Sequence, residues 1–442
     1  MLTEAVGNVG VTGSAVGTTM AVLVERDHIG IFGKMNAGKS TVMNLLTQQE
    51  SSIVDSQPGT TADTKVTLME IHGIGPVKLM DTAGADEQSA LGEKKRRKVF
   101  NDLKACDLII LVIDPAAAAF ATEQALLDAA RAADKQVLVV YNLFKPDDAG
   151  KTAHVEAALP LLRFYPKLAI AATRSEERAK LIGFIKDHYV ARHAAVPLLP
   201  FLEQDRYYLL NIPMDEETPP GRYLRPQAMV EEYITRHWGW PVSFRPALAR
   251  ARGTDAAAAA AEKARFDAVC ERLGDRLAGV ITDSQAMDVM HRWVPATMPL
   301  TTFSIVMINY MSRGRMADFV RGLRGVDKLK TGDRVLIVEA CNHSRIAEDI
   351  GTVQIPKAIA KRFHGVTVEH NFGREFQDNP DLARYRLVIH CGGCMIAPQA
   401  LAARVRDLSQ IGVPFTNYGL FLSALQGEAA LRRVLKPWGL EP

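Results

Sequence analysis

Between His28 and about His188, short apolar runs alternate with segments whose apolar residues recur every three or four positions. The runs Ile29–Phe32, Val77–Met80, Leu108–Ile113, Val137–Tyr141 and Leu168–Ala172 predict strands. The segments Thr41–Leu46, Glu93–Leu103, Glu123–Ala132 and Glu176–Ile185 predict amphipathic helices. That rhythm predicts an α/β fold with a mostly parallel, doubly wound sheet. Pro197, Pro200, Pro213, Pro219 and Pro220 then break the pattern, leaving a small unit with a strand at Tyr207–Ile212 and a helix at Pro226–His237. The tract Ala256–Ala261 favours helix. A second α/β rhythm begins near Val280, with strands expected at Val280–Thr282, Val335–Glu339, Val366–His370, Leu387–His390 and Pro414–Asn417.

At 442 residues the chain is too long for one ordinary core, so two or three domains are expected. Boundaries fall at a flexible tail over 1–26, a nucleotide-type domain over 27–195, a small unit over 196–270 and a second α/β unit over 271–442. The net charge of +3 is too weak a bias to argue for a nucleic-acid partner. The basic run Lys94–Lys98 reads as a solvated helix face. No apolar run reaches the ~18 residues of a membrane span, and the tail Met1–Glu25 contains no Lys or Arg. A cytoplasmic protein without a membrane partner is expected. Of five cysteines, Cys106 and Cys270 lie in apolar contexts and read as core residues. Cys341, Cys391 and Cys394 lie in the last quarter and point to metal or redox chemistry.

Gly33-Lys34-Met35-Asn36-Ala37-Gly38-Lys39-Ser40 satisfies G-x-x-x-x-G-K-[ST] between a predicted strand and a predicted helix. Its glycines let backbone N–H groups close on phosphate, Lys39 reaches the outer phosphates, and Ser40 is the Mg²⁺ ligand. Thr41 begins the following helix. Asp81-Thr82-Ala83-Gly84 ends a predicted strand, which gives Asp81 to the metal shell and the Gly84 amide to the γ-phosphate. Between the two motifs, Pro58–Asp63 reads as a switch loop in which Thr60 and Thr61 close on the nucleotide and its metal. Lys39, Thr61, Asp81 and Gly84 are the expected catalytic group. These segments resemble the first three motifs of the TrmE–Era branch of GTPases, which implies GTP. Ala85 replaces a water-orienting Gln, so slow hydrolysis is expected. Asn36 matches the position that ligates K⁺ in cation-dependent members of that branch, and an ordinary loop Asn is the competing reading.

The base-recognition loop departs from the N-K-x-D pattern. Asn142 is kept, but the sequence runs Asn142-Leu143-Phe144-Lys145, with Lys145 where an Asp would pair with guanine. The later S-A-x loop reads Ala171-Ala172-Thr173. Phosphate binding is therefore expected and guanine selectivity is not, unless Asp147 or Asp148 substitutes.

In the last quarter, Cys341-Asn342-His343 follows one predicted strand and His390-Cys391-Gly392-Gly393-Cys394 follows another. Three thiolates at the carboxyl ends of strands suit a [4Fe–4S] cluster with an exchangeable iron, and by spacing they equally suit a Cys₃His zinc site or a redox dithiol.

The paired C-x-H and H-C-x-x-C segments, with VLIVEAC at Val335–Cys341, Glu348–Gly351, LVIHCGGCM at Leu387–Met395 and GVPFTNYG at Gly412–Gly419, resemble HydF, the [FeFe]-hydrogenase maturation GTPase family. ITDSQA at Ile281–Ala286, TTFSI at Thr301–Ile305 and Ile29–Ser40 resemble the same family in the same order. The resemblance implies a GTPase domain, a dimerisation domain over 196–270 and a cluster domain over 271–442. It also implies a homodimeric scaffold that accepts a diiron subcluster precursor from the radical-SAM maturases HydE and HydG and delivers it to apo-[FeFe]-hydrogenase. Cys341, Cys391 and Cys394 would hold the cluster, with His343, His390 or Glu348 as the weak fourth ligand. The competing readings are an RNA-associated TrmE-like or Era-like GTPase with a structural zinc site, and a redox-sensing module.

Overall fold

In a computed structural model, residues 26–47, 65–82, 90–190, 196–214, 223–340, 349–372 and 381–442 are described. The first six strands are β1 (Asp27–Phe32), β2 (Lys65–Ile71), β3 (Gly75–Asp81), β4 (Leu108–Ile113), β5 (Gln136–Asn142) and β6 (Lys167–Ile170). They form one sheet in the order β2-β3-β1-β4-β5-β6. Every pair is parallel except the β2–β3 hairpin. β4 explains why an unbroken apolar run becomes a central strand. Leu108, Ile110 and Val112 pack into the core on one face, and Ile109, Leu111 and Ile113 into the core on the other. Edge strand β2 went unpredicted because exposed Lys65 and Glu70 interrupt its apolar positions, and Val66 and Met69 are only partly buried against the cores on its two faces. Cys106 is fully buried, and burial pushes its thiol far up, as its reading as a core residue requires.

A second sheet joins β7 (Tyr207–Asn211), β8 (Trp240–Phe244), β9 (Leu277–Thr282) and β10 (Leu300–Thr302) in the order β10-β9-β7-β8. This regroups the expected units. β9 and β10 fall in the span 271–442, yet they pair with the sheet that starts at Tyr207. The helix Ala256–Leu273 links β8 to β9 and is capped by Asp255, whose carboxylate accepts from the Ala257 and Ala258 N–H groups. The third sheet orders β11 (Arg334–Glu339), β12 (Thr367–Phe372), β13 (Leu387–His390) and β14 (Phe415–Asn417) as β12-β11-β13-β14, all parallel. The second and third sheets share one continuous apolar core from Leu198 to Leu435.

The first sheet meets this larger body at the amino ends of its strands. Asp107, just before β4, accepts from the His28 N–H at 2.8 Å, from Gln399 Nε2 at 2.6 Å and from Arg313 Nη1 at 3.0 Å. Lys104, at the end of the helix Ala90–Lys104, pairs with Asp407 at 2.9 Å. Among the described residues, no helix is long and apolar enough to cross a membrane.

His28 is buried at this junction. Burial first, and then the charge of Lys78, bring its pKa down to about 4. The unfolded imidazole takes up a proton below ~6.5, whereas the folded one stays neutral to about 4. Its contribution is therefore complete above pH ~6.5 and is lost as the pH falls through that window, at about 1.4 kcal/mol per pH unit. Denaturant unfolding at pH 6.5 and pH 5 should show the parent losing about 2 kcal/mol more than His28→Gln. Equal losses in the two proteins would contradict this account.

Candidate functional site

The first site is built at the carboxyl edge of the first sheet, where α/β folds bind ligands. β1 lies between β3 and β4, and the loop leaving it runs into the helix Lys39–Thr47. Gly33 and Gly38 adopt φ of +150° and +92°, and Asn36 takes the left-handed φ of +65° that its short polar side chain tolerates. A Cβ at Gly33 would strike the Val112 carbonyl, and one at Gly38 would strike the Asn142 amide, so both positions need glycine for close approach as well as for backbone freedom.

The metal and phosphate groups converge here. Register brings Ile31 of β1 beside Asp81 of β3, and Ser40 Oγ donates to Asp81 Oδ2 at 2.6 Å. Lys39 is buried, and its ammonium donates to the Lys34 carbonyl of its own loop at 2.8 Å. A hydroxyl and a carboxylate in contact at a helix N-terminus, with a buried ammonium folded over a glycine-rich loop, are the donor set that Mg²⁺ and a polyphosphate require. Thr41 lies in the first turn of that helix, and Ala37 is buried beneath the loop. Thr60, Thr61 and Gly84 lie outside the described residues. Asn142, fully buried at the end of β5, ties the site together. Its Nδ2 donates to the Ala37 carbonyl at 3.1 Å and its Oδ1 accepts from the Ala172 N–H at 3.2 Å.

The two aspartates suggested as substitutes are placed differently. Asp148 is turned inward, accepting from the Lys145 N–H and Lys151 Nζ at 2.8 Å each, and the hydrogen bond from Lys151 lowers its pKa. Asp147 is exposed in the same short helical turn.

The second site lies at the carboxyl edge of the third sheet. Cys391 follows β13, and its N–H donates to the Val338 carbonyl of β11 at 2.9 Å. Its sulfur accepts from the Ala340 and Gly393 N–H groups at 3.3 and 3.4 Å. Burial raises the Cys391 thiol, and these two donors oppose that. Cys394 is pushed up to about 11 by burial and by its neighbour Cys391, against the pull of Arg225. Cys341, His343 and Glu348 lie outside the described residues. Among the described residues no group of three or more His, Cys, Asp or Glu stands close enough to hold a metal ion.

His390 behaves differently from the fourth ligand expected of it. Arg404 Nη1 donates to its Nε2 at 3.0 Å, so the proton sits on Nδ1, which donates to the Cys391 carbonyl at 2.7 Å. Burial and Arg404 bring its pKa down to about 3. Both ring nitrogens are engaged, and His390 bridges Arg404 to the cysteine loop.

Residues of four other HydF-like segments, Glu339, Gly351, Ser304 and Asn417–Tyr418, meet around this loop. Asn417 Nδ2 donates to Ser304 Oγ at 2.9 Å and to the His390 carbonyl at 3.4 Å. The Tyr418 hydroxyl donates to Glu339 Oε1 at 3.1 Å, and a Cβ at Gly351 would strike that carboxylate. Arg225 Nη1 reaches the Cys394 carbonyl from the helix Arg225–Arg236. Sequence reasoning passed over Arg225 and Arg404. A signal for Arg404 was available, because it lies on the apolar stripe of Leu401, Val405 and Leu408, where a charge needs a buried partner.

Comparisons with known proteins divide along the same lines. A family model described as 50S ribosome-binding GTPase matches residues 28–143, one described as Hydrogen maturase F dimerization domain matches 251–312, and one described as Hydrogen maturase F tetramerization domain matches 317–437. The tRNA modification GTPase MnmE of Moorella thermoacetica (strain ATCC 39073 / JCM 9320) is 31% identical over 162 residues, 35% of this chain and 33% of the relative. That of Geotalea uraniireducens (strain Rf4) is 38% identical over 108 residues, 24% of each chain. The chain thus spans a third or less of these relatives. Among solved structures, Aquifex aeolicus Era is 21% identical with a TM-score of 0.33, covering 39% of this chain and 60% of Era. The G domain of T. maritima FeoB is 23% identical with a TM-score of 0.28, covering 37% of this chain and 99% of that domain.

The glycine contacts give a direct test of the first site. Gly38→Ala forces a side chain into the Asn142 amide at a φ that alanine disfavours, so nucleotide affinity should fall by about a hundredfold or more while the fold persists. Titration with a fluorescent nucleoside triphosphate measures this, and affinity within threefold of the parent would refute the geometry.

Proposed function

The chain belongs to the hydrogen maturase F family, and from that premise we propose that it is a scaffold that carries an iron–sulfur centre at Cys341, Cys391 and Cys394 and delivers a diiron subcluster precursor to apo-[FeFe]-hydrogenase. Its GTPase-type domain is a nucleoside-triphosphate hydrolase, and the matched domains make oligomers, through a tetramerization as well as a dimerization domain. The homodimer expected from sequence is one step of that assembly. The radical-SAM maturases HydE and HydG are the proposed source of the precursor.

The observation that carries the reading is the hydrogen bond from the Ala340 N–H to the Cys391 sulfur. Ala340 immediately precedes Cys341 in sequence, so the C-x-H segment begins one residue from the thiol of the C-x-x-C segment. Backbone N–H groups around a sulfur favour thiolate, and a bound metal completes the deprotonation that burial resists. When bound, a [4Fe–4S] centre supplies an iron whose weak ligand an incoming group displaces. Arg404 keeps His390 out of that role, which leaves His343 and Glu348 as the proposed exchangeable ligands. Arg225 holds Cys394 in place through its carbonyl.

In the nucleotide domain, Lys39 neutralises phosphate charge, while Ser40 and Asp81 hold Mg²⁺ between them. Thr61 and Gly84 are proposed to close on the γ-phosphate, and Asn36 is proposed to ligate K⁺ in place of an arginine finger. Ala85 brings no polar group to the attacking water, so hydrolysis is slow. The RNA-associated alternative draws support only from the nucleotide domain, because the two Hydrogen maturase F models match most of 251–437.

Anaerobic reconstitution separates the two chemistries. The parent should take up about four irons per chain and give an EPR signal on reduction. Cys391→Ala should lose at least about ninefold in iron while keeping hydrolysis within about twofold, and Lys39→Ala should do the reverse. A colourless protein that binds one tight zinc and activates no apo-hydrogenase would end the carrier reading.

A further inference from the structure

We propose that a third site lies between the second and third sheets, a cavity that binds a small carboxylate with an aliphatic body through Lys357 and Ser284. It uses no residue of the phosphate loop or of the cysteine loop.

Strand order points to the place. In the second sheet the chain runs from β7 to β8 on one side, then returns to the other side of β7 for β9 and β10, with all four strands parallel. The third sheet follows the same course with β11, β12, β13 and β14. Parallel sheets bind ligands beyond the carboxyl ends of the strands that flank such a reversal. In the third sheet these are β11 and β13, and Cys391 follows β13. In the second they are β7 and β9, whose last residues are joined by a 2.7 Å hydrogen bond from Asn211 Nδ2 to Thr282 Oγ1. Ser284 and Gln285 come next, in the ITDSQA segment that neither site above employs, and both line a cavity of about 310 Å³. That volume lies at the low end of small-molecule sites, ~300–1,000 Å³.

The charges in the wall select an anion. Arg252 is already matched, since its Nε and Nη2 donate to the two oxygens of Asp288 at 2.8 and 2.7 Å, and both residues line the cavity. Lys357, in the first turn of the helix Ile355–Arg362, is exposed and has no hydrogen bond or ion pair among the described residues. The wall therefore keeps one unmatched positive charge. Ser284 is 4% exposed, and its Oγ has no hydrogen-bond partner. A buried hydroxyl left unbonded is unfavourable, and an acceptor in the cavity relieves it. An ammonium offers donors only, so an ammonium and a free hydroxyl together call for a carboxylate. A phosphate dianion would leave one of its charges unmatched.

The rest of the wall calls for an aliphatic body. Met287 comes from the helix after β9, Val353 from the turn Ile350–Gln354, and Leu422 and Leu425 from the helix Tyr418–Leu425. That turn and that helix also set Gly351 and Tyr418 against Glu339, so the cavity shares its walls with the frame of the cysteine loop.

The test titrates the full chain with 4-methylpentanoate, its neutral amide, acetate and isopentyl phosphate, followed by ligand-observed NMR. The acid should bind with a dissociation constant of about 1 mM or below, modest for so few heavy atoms. The other three should each bind at least about fivefold more weakly, for want of charge, of apolar area or of a charge match. Lys357→Gln should weaken the acid about tenfold and leave the amide within about twofold. Ser284→Ala should weaken the acid about threefold. Without ligand, Ser284→Ala should unfold at the parent's denaturant midpoint or above it, because it removes a hydroxyl that bonds to nothing. Circular dichroism of both variants guards against misfolding. Failure of the parent to bind the acid at about 10 mM, or an affinity unmoved by Lys357→Gln, overturns the site. Tighter binding of the phosphate, or equal binding of acetate, overturns the ligand class. A lowered midpoint in Ser284→Ala would mean that the hydroxyl is bonded within the protein, and would overturn its role.

Discussion

One carboxylate holds the two halves of this molecule in register. Asp107 accepts hydrogen bonds from the His28 backbone in its own sheet and from Arg313 and Gln399 in the larger body. Both side chains of the Asp107–Arg313 pair are at least nine-tenths buried, so neither charge can turn to water. A buried charge deprived of its partner costs ~3–5 kcal/mol, which makes this junction sensitive to any change in spacing. The nucleotide domain has cores on both faces of its own sheet, and the other two sheets share a separate core. Polar contacts, Lys104–Asp407 among them, set the docking angle between them.

That arrangement leaves the opposite edge of the first sheet clear for chemistry. Parallel strands carry all their carboxyl ends to one side, so Gly33, Asp81 and Asn142 come together from separate strands without any special loop. Asn142 is the member that bridges two loops of the site. By joining Ala37 to Ala172 it fixes the phosphate loop against the loop after β6, and it does so whether or not the residues beyond it read guanine. The retained Asn and the altered Lys145 are therefore consistent, since they serve different parts of the site.

What could be read from the sequence follows the range of each interaction. The phosphate loop is contiguous and its chemistry needs that spacing, so it was legible residue by residue. β1, β4 and β5 were legible because a strand covered on both faces must be apolar throughout. β2 was hidden by its polar edge positions. β9 was found in part but grouped with the wrong sheet, because periodicity identifies a strand and says nothing of its partner, and the three-residue β10 was not predicted. The order β10-β9-β7-β8 depends on pairing across about seventy residues, Tyr207 with Leu277. Asp107 and Arg225 were invisible as site residues for the same reason. Their partners lie in other elements, and each reads locally as an ordinary charged side chain. The C-x-x-C loop was legible, but the contact between His390 and Arg404 was not, because it joins two elements.

The helix Pro398–Ile411 connects these separate observations. Gln399 in its first turn bonds Asp107, Arg404 at its middle bonds His390, and Asp407 near its end bonds Lys104. Lys104 terminates the helix Ala90–Lys104, which at ~1.5 Å per residue runs roughly 22 Å along the nucleotide domain. A single rigid element therefore carries contacts to the nucleotide domain at both its ends and one at its middle to the histidine that positions Cys391. Because Arg404 is buried in a packed core, a shift of this helix cannot be absorbed by one side chain rotating away. The docking of the two halves and the setting of the cysteine loop are thus constraints on the same helix, and neither can change alone.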